Sequence, residues 1–404
     1  MKYLDYVNVR MGTDTSPRFS NGNTLPMTSL PFGMNNFLVE TRGHNPLEIF
    51  NADDRITTGI RLTHCSNRWL GDYGFLTFMP RSEGSKSGIC SPSSFVPEKT
   101  VMNPHELKVN FQIQRAEVSL APAQRSAAVK VHYEYAEGGR SLLLKLFGGA
   151  EIAVNQDGTV TGKVCNHFNE VPENFGIYFA ISFDKSIDAQ KTDFYTHHGE
   201  KIAAAGVCAG ENIFADIALE GRPDDFEMRI ATSFISVGQA RQNLKEIDGK
   251  SYDDVKALAA EKWEEILGRI EIEADEEVKK TFYSCLYRKL CSAKVPGDLP
   301  VPGCLQEDER RHRHELRRDL CHGNGDSRHL ADLHLPAEAE RSGLSPDPGL
   351  YPHHRGSGPA RGNRAQTVRA PAAQGAGDLS AADYHQLRRA GRCVAQYASG
   401  VQPD

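Results

Sequence analysis

Val129-Lys130-Val131-His132-Tyr133-Glu134-Tyr135 alternates apolar and polar side chains without a break. Successive side chains of an extended chain point to opposite faces, so this stretch predicts a strand with one face in a core and the other in water. Upstream, Val109, Phe111 and Ile113 alternate in the same way with Asn110, Gln112 and Gln114. Further strands are predicted over 141–147, 176–183, 213–219 and 226–237, separated by turn material such as Gln156-Asp157-Gly158 and Glu137-Gly138-Gly139. Regular strands with polar turns and few intervening helices predict a mainly β fold, with a β-sandwich over residues 1–238.

From about Gln239 the period becomes helical. Leu258, Trp263, Ile266 and Leu267 recur at helical intervals, as do Val278, Phe282, Cys285 and Leu286, with Glu and Lys between them. Helices are therefore predicted over 256–267 and 276–290. After about Val295 the composition shifts: from Gly297 to Asp404 there is no Lys, Ile, Phe, Met or Trp, while Arg, His, Ala, Gly and Pro abound. Large apolar side chains must offset the entropy lost on ordering, and this stretch has few, so residues 296–404 are expected to be a low-order tail. Three readings of it compete: a disordered basic extension, a His-rich metal-binding segment, or translation of a GC-rich gene in the wrong frame. The frame error is favoured, because Lys and Phe vanish together at one point.

A chain of 404 residues exceeds the size at which single cores usually stop growing, so two domains are expected. The formal net charge of -6 and the lack of a basic run in the first 290 residues argue against nucleic acid or an anionic membrane as partner. No apolar stretch reaches transmembrane length, and Met1-Lys2-Tyr3-Leu4-Asp5 opens no signal peptide. The nine cysteines show no Cys-x-x-Cys spacing, which argues against a disulfide framework and against a zinc site. Reduced thiols and a cytoplasmic location are the expectation for the chain as it stands, and no metal ligand is assigned.

The segment richest in chemistry is Gly59-Ile60-Arg61-Leu62-Thr63-His64-Cys65-Ser66-Asn67-Arg68-Trp69-Leu70-Gly71-Asp72-Tyr73-Gly74. It joins a short strand to a glycine-bearing turn and carries an indole, a carboxylate and an imidazole. An indole face can stack on the apolar face of a pyranose while Asp and His bond its hydroxyls, so Trp69, Asp72 and His64 are candidate substrate-binding residues. A plain structural reading stands beside this one. A Trp is usually core, an Asp between Gly and Tyr usually forms a turn, and a lone His is usually structural.

This run resembles the amino-terminal signature of glycoside hydrolase family 92, where a Thr-His pair precedes a Trp and a Gly-Asp-Tyr-Gly turn. Met11-Gly12-Thr13-Asp14, Arg18-Phe19-Ser20-Asn21-Gly22-Asn23-Thr24-Leu25-Pro26 and Leu30-Pro31-Phe32-Gly33-Met34 are similar to the family's opening, and Phe78-Met79-Pro80 closes the signature. Ser233-Phe234-Ile235-Ser236-Val237 with Gln239-Ala240 and Asn243-Leu244 resembles the last sandwich strand and the start of the linker helix. Thr281-Phe282-Tyr283-Ser284-Cys285-Leu286-Tyr287-Arg288 resembles the first barrel helix. The blocks follow the family's order from residue 4 to about 290.

The resemblance implies a sandwich over 1–238, then a linker helix and the first helix of an incomplete (α/α)6 barrel over 239–295. It implies an inverting, calcium-dependent exo-α-mannosidase acting on glycans with terminal α-linked mannose, in a family whose members are often secreted or periplasmic. The family's general acid Glu, base Asp and main calcium ligands lie in the barrel after its first helix. None can be placed here, because Glu307, Asp308, Glu309 and Asp326 sit in no matching context. The catalytic residues are thus unassigned, and this chain alone is expected to be inactive. The rivals are a non-catalytic carbohydrate-binding sandwich and a non-functional truncated product. Sequencing the gene across the codons for Leu290 to Gly303 tests the frame error: a better alternative frame is expected downstream, and an intact frame with none would sink it.

Overall fold

The computed structural model describes residues 2–13, 24–43, 49–64, 74–83, 88–134, 138–166, 175–204 and 206–292. These fall within one unit of the chain, Met1–Glu338. The tail at 296–404, with its three readings, lies outside the described residues, as do Tyr135 and Glu137.

The described strands are β1 (Asn36–Glu40), β2 (Ile56–Thr57), β3 (Gly59–Thr63), β4 (Leu76–Ser82), β5 (Ser93–Ser94), β6 (Val101–Met102), β7 (Leu107–Phe111) and β8 (Ala116–Pro122). They continue with β9 (Ser126–Tyr133), β10 (Arg140–Val154), β11 (Val160–Cys165), β12 (Ile177–Phe183), β13 (Asp193–Thr196), β14 (Lys201–Ile202), β15 (Val207–Leu219) and β16 (Asp225–Ser233). Apart from the small β2–β5 ladder, they join one antiparallel sheet in the order β1-β3-β4-β10-β11-β12-β16-β9-β8-β7-β6, with β15 also pairing β10 and, beyond it, β13 and β14.

One sheet makes two layers because β10 serves both. Residues 140–145 pair with β4 and residues 149–154 with β11, while β15 follows the opposite edge of β10 on either side of a register shift between Leu146 and Gly149. At that shift Phe147 and Gly148 face Asn212, which is itself left-handed (φ 54°) and accepts the Gly148 N–H on its Oδ1 at 2.9 Å. A bulge of this kind bends the strand and lets the sheet turn. Gly148 has φ +83°, and a Cβ there would lie 2.5 Å from the Cys165 carbonyl oxygen, so no other residue fits.

Folding over brings β1 against β7 and β4 against β8. Tyr133 of β9 donates across the layers to the Arg81 carbonyl at 3.0 Å, under the Arg140 guanidinium 4.5 Å from its ring. Phe37, Leu62, Phe78, Leu144, Val109, Leu120, Val129, Phe179 and Ile230 share the core between the layers. The mainly β, sandwich-type fold read from the alternation is present, built from one folded sheet.

Two predicted strands end earlier than the pattern suggested. β7 stops at Phe111, and residues 112–115 form the turn into β8, with Arg115 at φ 50°. Ile113 is consequently 41% exposed, whereas Gln114 is 1% exposed and accepts the Ser82 N–H. Period-two alternation has no meaning inside a turn, which reverses the expected faces. The strand predicted over 226–237 ends at Ser233, because Ser236 accepts the Gln239 N–H and caps α1 (Val237–Leu244).

α2 (Tyr252–Leu267) begins at a Ser251–Asp254 capping box, and α3 (Glu276–Ser292) follows it. The buried stripe of α2 is Tyr252, Val255, Ala259, Trp263 and Leu267. Leu258 is 48% exposed, Val278 50% exposed, and Cys285 also faces outward, contrary to the predicted apolar stripes. The faces are set by docking: Tyr252 donates to Glu106 Oε1 at 2.7 Å, the Trp263 indole to the Ser29 carbonyl at 2.8 Å, and Tyr287 packs 5.4 Å from Trp263.

His105 sits beside Glu106 at this junction, and its Nδ1 has no hydrogen-bond partner among the described residues. Burial lowers its pKa below the ordinary 6.5, with nearby Glu106 opposing. As pH falls through about 6.5 the unfolded chain takes up the proton before the folded one does, so the folded state loses stability below that pH. His105→Gln is expected to flatten this part of the stability-against-pH curve in denaturant titrations, and an unchanged slope would remove His105 from the account.

Candidate functional site

The β3–β4 ladder pairs Ile60 with Phe78 and Leu62 with Leu76. Beyond that last pair the two strands part into the connection that carries the sugar-binding candidates. Trp69 and Asp72 lie in 65–73, outside the described residues; His64 and Gly74 are the described ends of the segment.

His64 is 4% exposed, with Nδ1 2.6 Å from the Gly74 carbonyl oxygen. A carbonyl only accepts, so Nδ1 carries the proton, and the bond links one end of the connection to the other. Nε2 lies 3.5 Å from Thr232 Oγ1, and the ring packs 4.8 Å from Phe234, which stacks on Phe175. Thr232 donates to Asn35 Oδ1 at 2.6 Å, and Asn243 donates to the Thr232 carbonyl at 2.8 Å, so the imidazole rests on a bonded polar base at the end of β16.

Asn166, directly after β11, was not singled out by the sequence reading. An Asn after a short strand looks like an ordinary turn former. In the fold its Oδ1 accepts the Phe75 N–H at 2.8 Å, its Nδ2 donates to the Phe75 carbonyl at 2.6 Å, and its own carbonyl accepts the Gly74 N–H at 3.0 Å. Gly74 has φ +58°, and a Cβ there would come 2.6 Å from Ile177 Cγ2, so the contact with β12 requires glycine.

The outer face of the same strands is charged and buried. Arg61 of β3 pairs with Glu40 of β1 at 2.9 Å, Thr77 of β4 donates to the other Glu40 oxygen at 2.6 Å, and the Arg61 guanidinium lies 3.5 Å from the Phe75 ring centre. Lys145 of β10 donates to the Thr58 carbonyl at 2.7 Å, and burial lowers its pKa. This network ties β1, β3, β4 and β10 together.

Among the described residues no three His, Cys, Asp or Glu side chains come together as a metal site. The calcium ligands that the sequence resemblance implied were expected after the first barrel helix, outside the described residues. A shallow cavity of about 430 Å³, lined by Thr159, Ser182, Arg241 and Lys245, lies at the opposite ends of β11 and β12 from Asn166 and Gly74. Neither His64 nor Gly74 lines it.

Residues 6–233 match the sequence profile of the glycosyl hydrolase family 92 N-terminal domain, and residues 239–299 match that of the glycosyl hydrolase family 92 catalytic domain. Among solved structures, the chain is similar to a family GH92 inverting mannosidase from Bacteroides thetaiotaomicron, at 27% identity and a TM-score of 0.64 over 72% of this chain and 39% of that one. A family GH92 α-mannosidase from the same bacterium aligns at 21% identity and a TM-score of 0.64 over 74% of this chain and 42% of its own. That enzyme is also known in complex with mannoimidazole, at a TM-score of 0.62, 21% identity and coverage of 72% and 40%. The chain thus spans well under half the length of the structures it matches. No curated protein matches it.

Removing one member of a buried ion pair strands the other charge, at a cost of about 3 to 5 kcal/mol. Glu40→Ala is expected to destabilise the fold by that amount in chemical denaturation. The double change Glu40→Leu, Arg61→Leu should cost less, because it leaves no uncompensated charge.

Proposed function

The chain belongs to glycosyl hydrolase family 92, and from that premise we propose that its sandwich forms one wall of the sugar pocket of an inverting exo-α-mannosidase acting on glycans with terminal α-linked mannose. Trp69 and Asp72 are the sugar-facing pair in this reading, and the buried His64, a substrate-binding candidate by sequence, serves them from behind. The indole stacks on the pyranose, Asp72 accepts from its hydroxyls, and His64 ties the ends of the connection together. The observation that carries the reading is the bonding of His64 and Gly74 to each other and of Gly74 and Phe75 to Asn166, which anchors the connection to the rigid sandwich. Sites held by strands place their groups more precisely than free loops do.

Inversion needs a carboxylic acid to protonate the leaving oxygen and a carboxylate to activate water on the opposite face, roughly 6.5 to 9.5 Å apart. We assign both to the catalytic domain, whose profile residues 239–299 match, and neither to the sandwich. Calcium belongs to this reading only as the family's expectation, and no step is routed through it.

The 404-residue chain is accordingly expected to bind methyl α-mannoside but to release no product from an aryl α-mannoside, with or without chelator. Trp69→Ala should weaken binding by about tenfold, equivalent to about 1.4 kcal/mol. Titration calorimetry and a chromogenic assay check both points. Calcium-dependent turnover by this polypeptide would refute the assignment of chemistry elsewhere, and a wild type that binds no α-mannoside would refute the sugar wall. Binding that survives Trp69→Ala would favour a carbohydrate-binding sandwich with its site elsewhere.

A further inference from the structure

We propose that the cavity between α1 and the ends of β11 and β12 is a binding site for a small polyhydroxylated carboxylate, the chemistry of a sugar acid. α1 packs on β11, β12 and β16. Its last turn and the 3-10 turn Lys245–Ile247 that follows supply Arg241, Gln242 and Lys245 to the cavity. Thr159, just before β11, and Ser182 of β12 line it from the sheet. Its volume of about 430 Å³ falls within the roughly 300 to 1,000 Å³ of ordinary ligand clefts.

Every charge lining the cavity has a partner except one. Arg241 Nη1 donates to Asp157 Oδ2 at 2.8 Å, and Asp157 is fixed in turn by the Thr159 N–H and hydroxyl at 3.0 and 2.6 Å. Asp248 lies 3.6 Å from Arg229 Nη1. Lys245 Nζ has neither an ion pair nor a hydrogen bond among the described residues, so the cavity keeps one surplus positive charge on a chain of net charge -6. That surplus matches a monoanion. Arg241 also keeps Nε and Nη2 without a partner among the described residues, and this edge is the fork that takes a carboxylate through two parallel bonds. The Ser182 hydroxyl and the Gln242 amide can bond the hydroxyls of a ligand, and Leu244 offers an apolar side chain to its C–H face. A phosphate ester fits less well, because its charge of about -1.5 to -2 exceeds what Lys245 balances.

The site stands apart from the sugar wall. From Thr159 to Asn166 the chain runs the length of β11, about 20 Å at ~3.3 Å per residue, so one monosaccharide cannot reach both ends. Lys245→Met is the primary variant. It removes the charge and keeps the main-chain N–H that caps α1, and since the ammonium has no partner among the described residues the fold does not depend on it. Lys262→Met is the control, because it removes one positive charge from α2, where Lys262 already pairs with Glu265.

The test titrates the full chain with D-glucuronate, D-glucose and inorganic phosphate at fixed low ionic strength, read by saturation-transfer NMR for the sugars and by competition with glucuronate for phosphate. Glucuronate is expected to bind with a dissociation constant of about 1 mM, and glucose and phosphate at least tenfold more weakly. Lys245→Met should weaken glucuronate binding by about tenfold, while Lys262→Met should match wild type. Equal responses to glucuronate and glucose would overturn the inference, as would wild-type affinity in Lys245→Met. An equal loss in Lys262→Met would overturn it too, because the attraction would then come from diffuse charge. Phosphate that competes as strongly as glucuronate would leave an anion site without the sugar-acid chemistry and so refute the assignment. Methyl α-mannoside is titrated separately, so the sugar wall stands or falls on its own measurement.

Discussion

The bend of β10 at Phe147 and Gly148 is the constraint from which the rest of the molecule follows. A long antiparallel strand would ordinarily lie in one layer. Here one bulge against Asn212 lets the same strand pair with β4 before the bend and β11 after it, so a single continuous sheet closes over its own apolar face. The joint tolerates no side chain, since a Cβ on Gly148 would sit against the backbone of the strand entering the second layer. Both feet of the 64–74 connection depend on that fold. β3 and β4 belong to the run before the bend, and the Asn166 that holds Phe75 ends the first strand after it.

Polar side chains in the sandwich act as joints where the ladder cannot. Gln114 bonds the Ser82 N–H across the layers, Asn166 completes the end of β4, and His64 ties its own strand end to Gly74. Each bonds main-chain groups that would otherwise be buried without partners, a condition that costs more than a typical hydrogen bond contributes. The Glu40–Arg61 pair differs in kind. It is desolvated on both sides, so it adds little net stability by itself, yet with Thr77 and Phe75 it fixes how β1, β3 and β4 align.

α2 and α3 are held on the sandwich by a few specific contacts. Trp263 and Tyr287 pack together and bond the carbonyls of Ser29 and Met27, so the start of the helical region shares a core with the first residues of the chain. This docking explains why Leu258 and Val278 face outward. A helix buries the side that meets its partner, and two candidate stripes a turn apart look alike until that partner is known.

Local pattern carried much of the architecture. Alternation at 129–133 marked a real strand, and the helical periods over 256–267 and 276–290 lie within α2 and α3, because side-chain faces follow directly from backbone periodicity. Of the chemistry-bearing segment only His64 and Gly74 fall among the described residues, as the two ends of the connection. Strand ends were not legible: Ile113 and Ile235 continued an apolar rhythm across a turn and a helix cap, and only the backbone geometry shows where the rhythm stops. Asn166 was invisible for a stronger reason. Its importance lies in meeting Phe75, which is 91 positions away in the chain, and local pattern cannot reveal which distant backbone groups will lack a partner. By itself the sequence determined the mainly β class, the helices after it and the residues that resemble a sugar-binding turn; the tertiary structure alone decided that one sheet builds both layers and that the Asn166 amide bonds Phe75 before β4, because both depend on contacts made only when the chain has closed on itself.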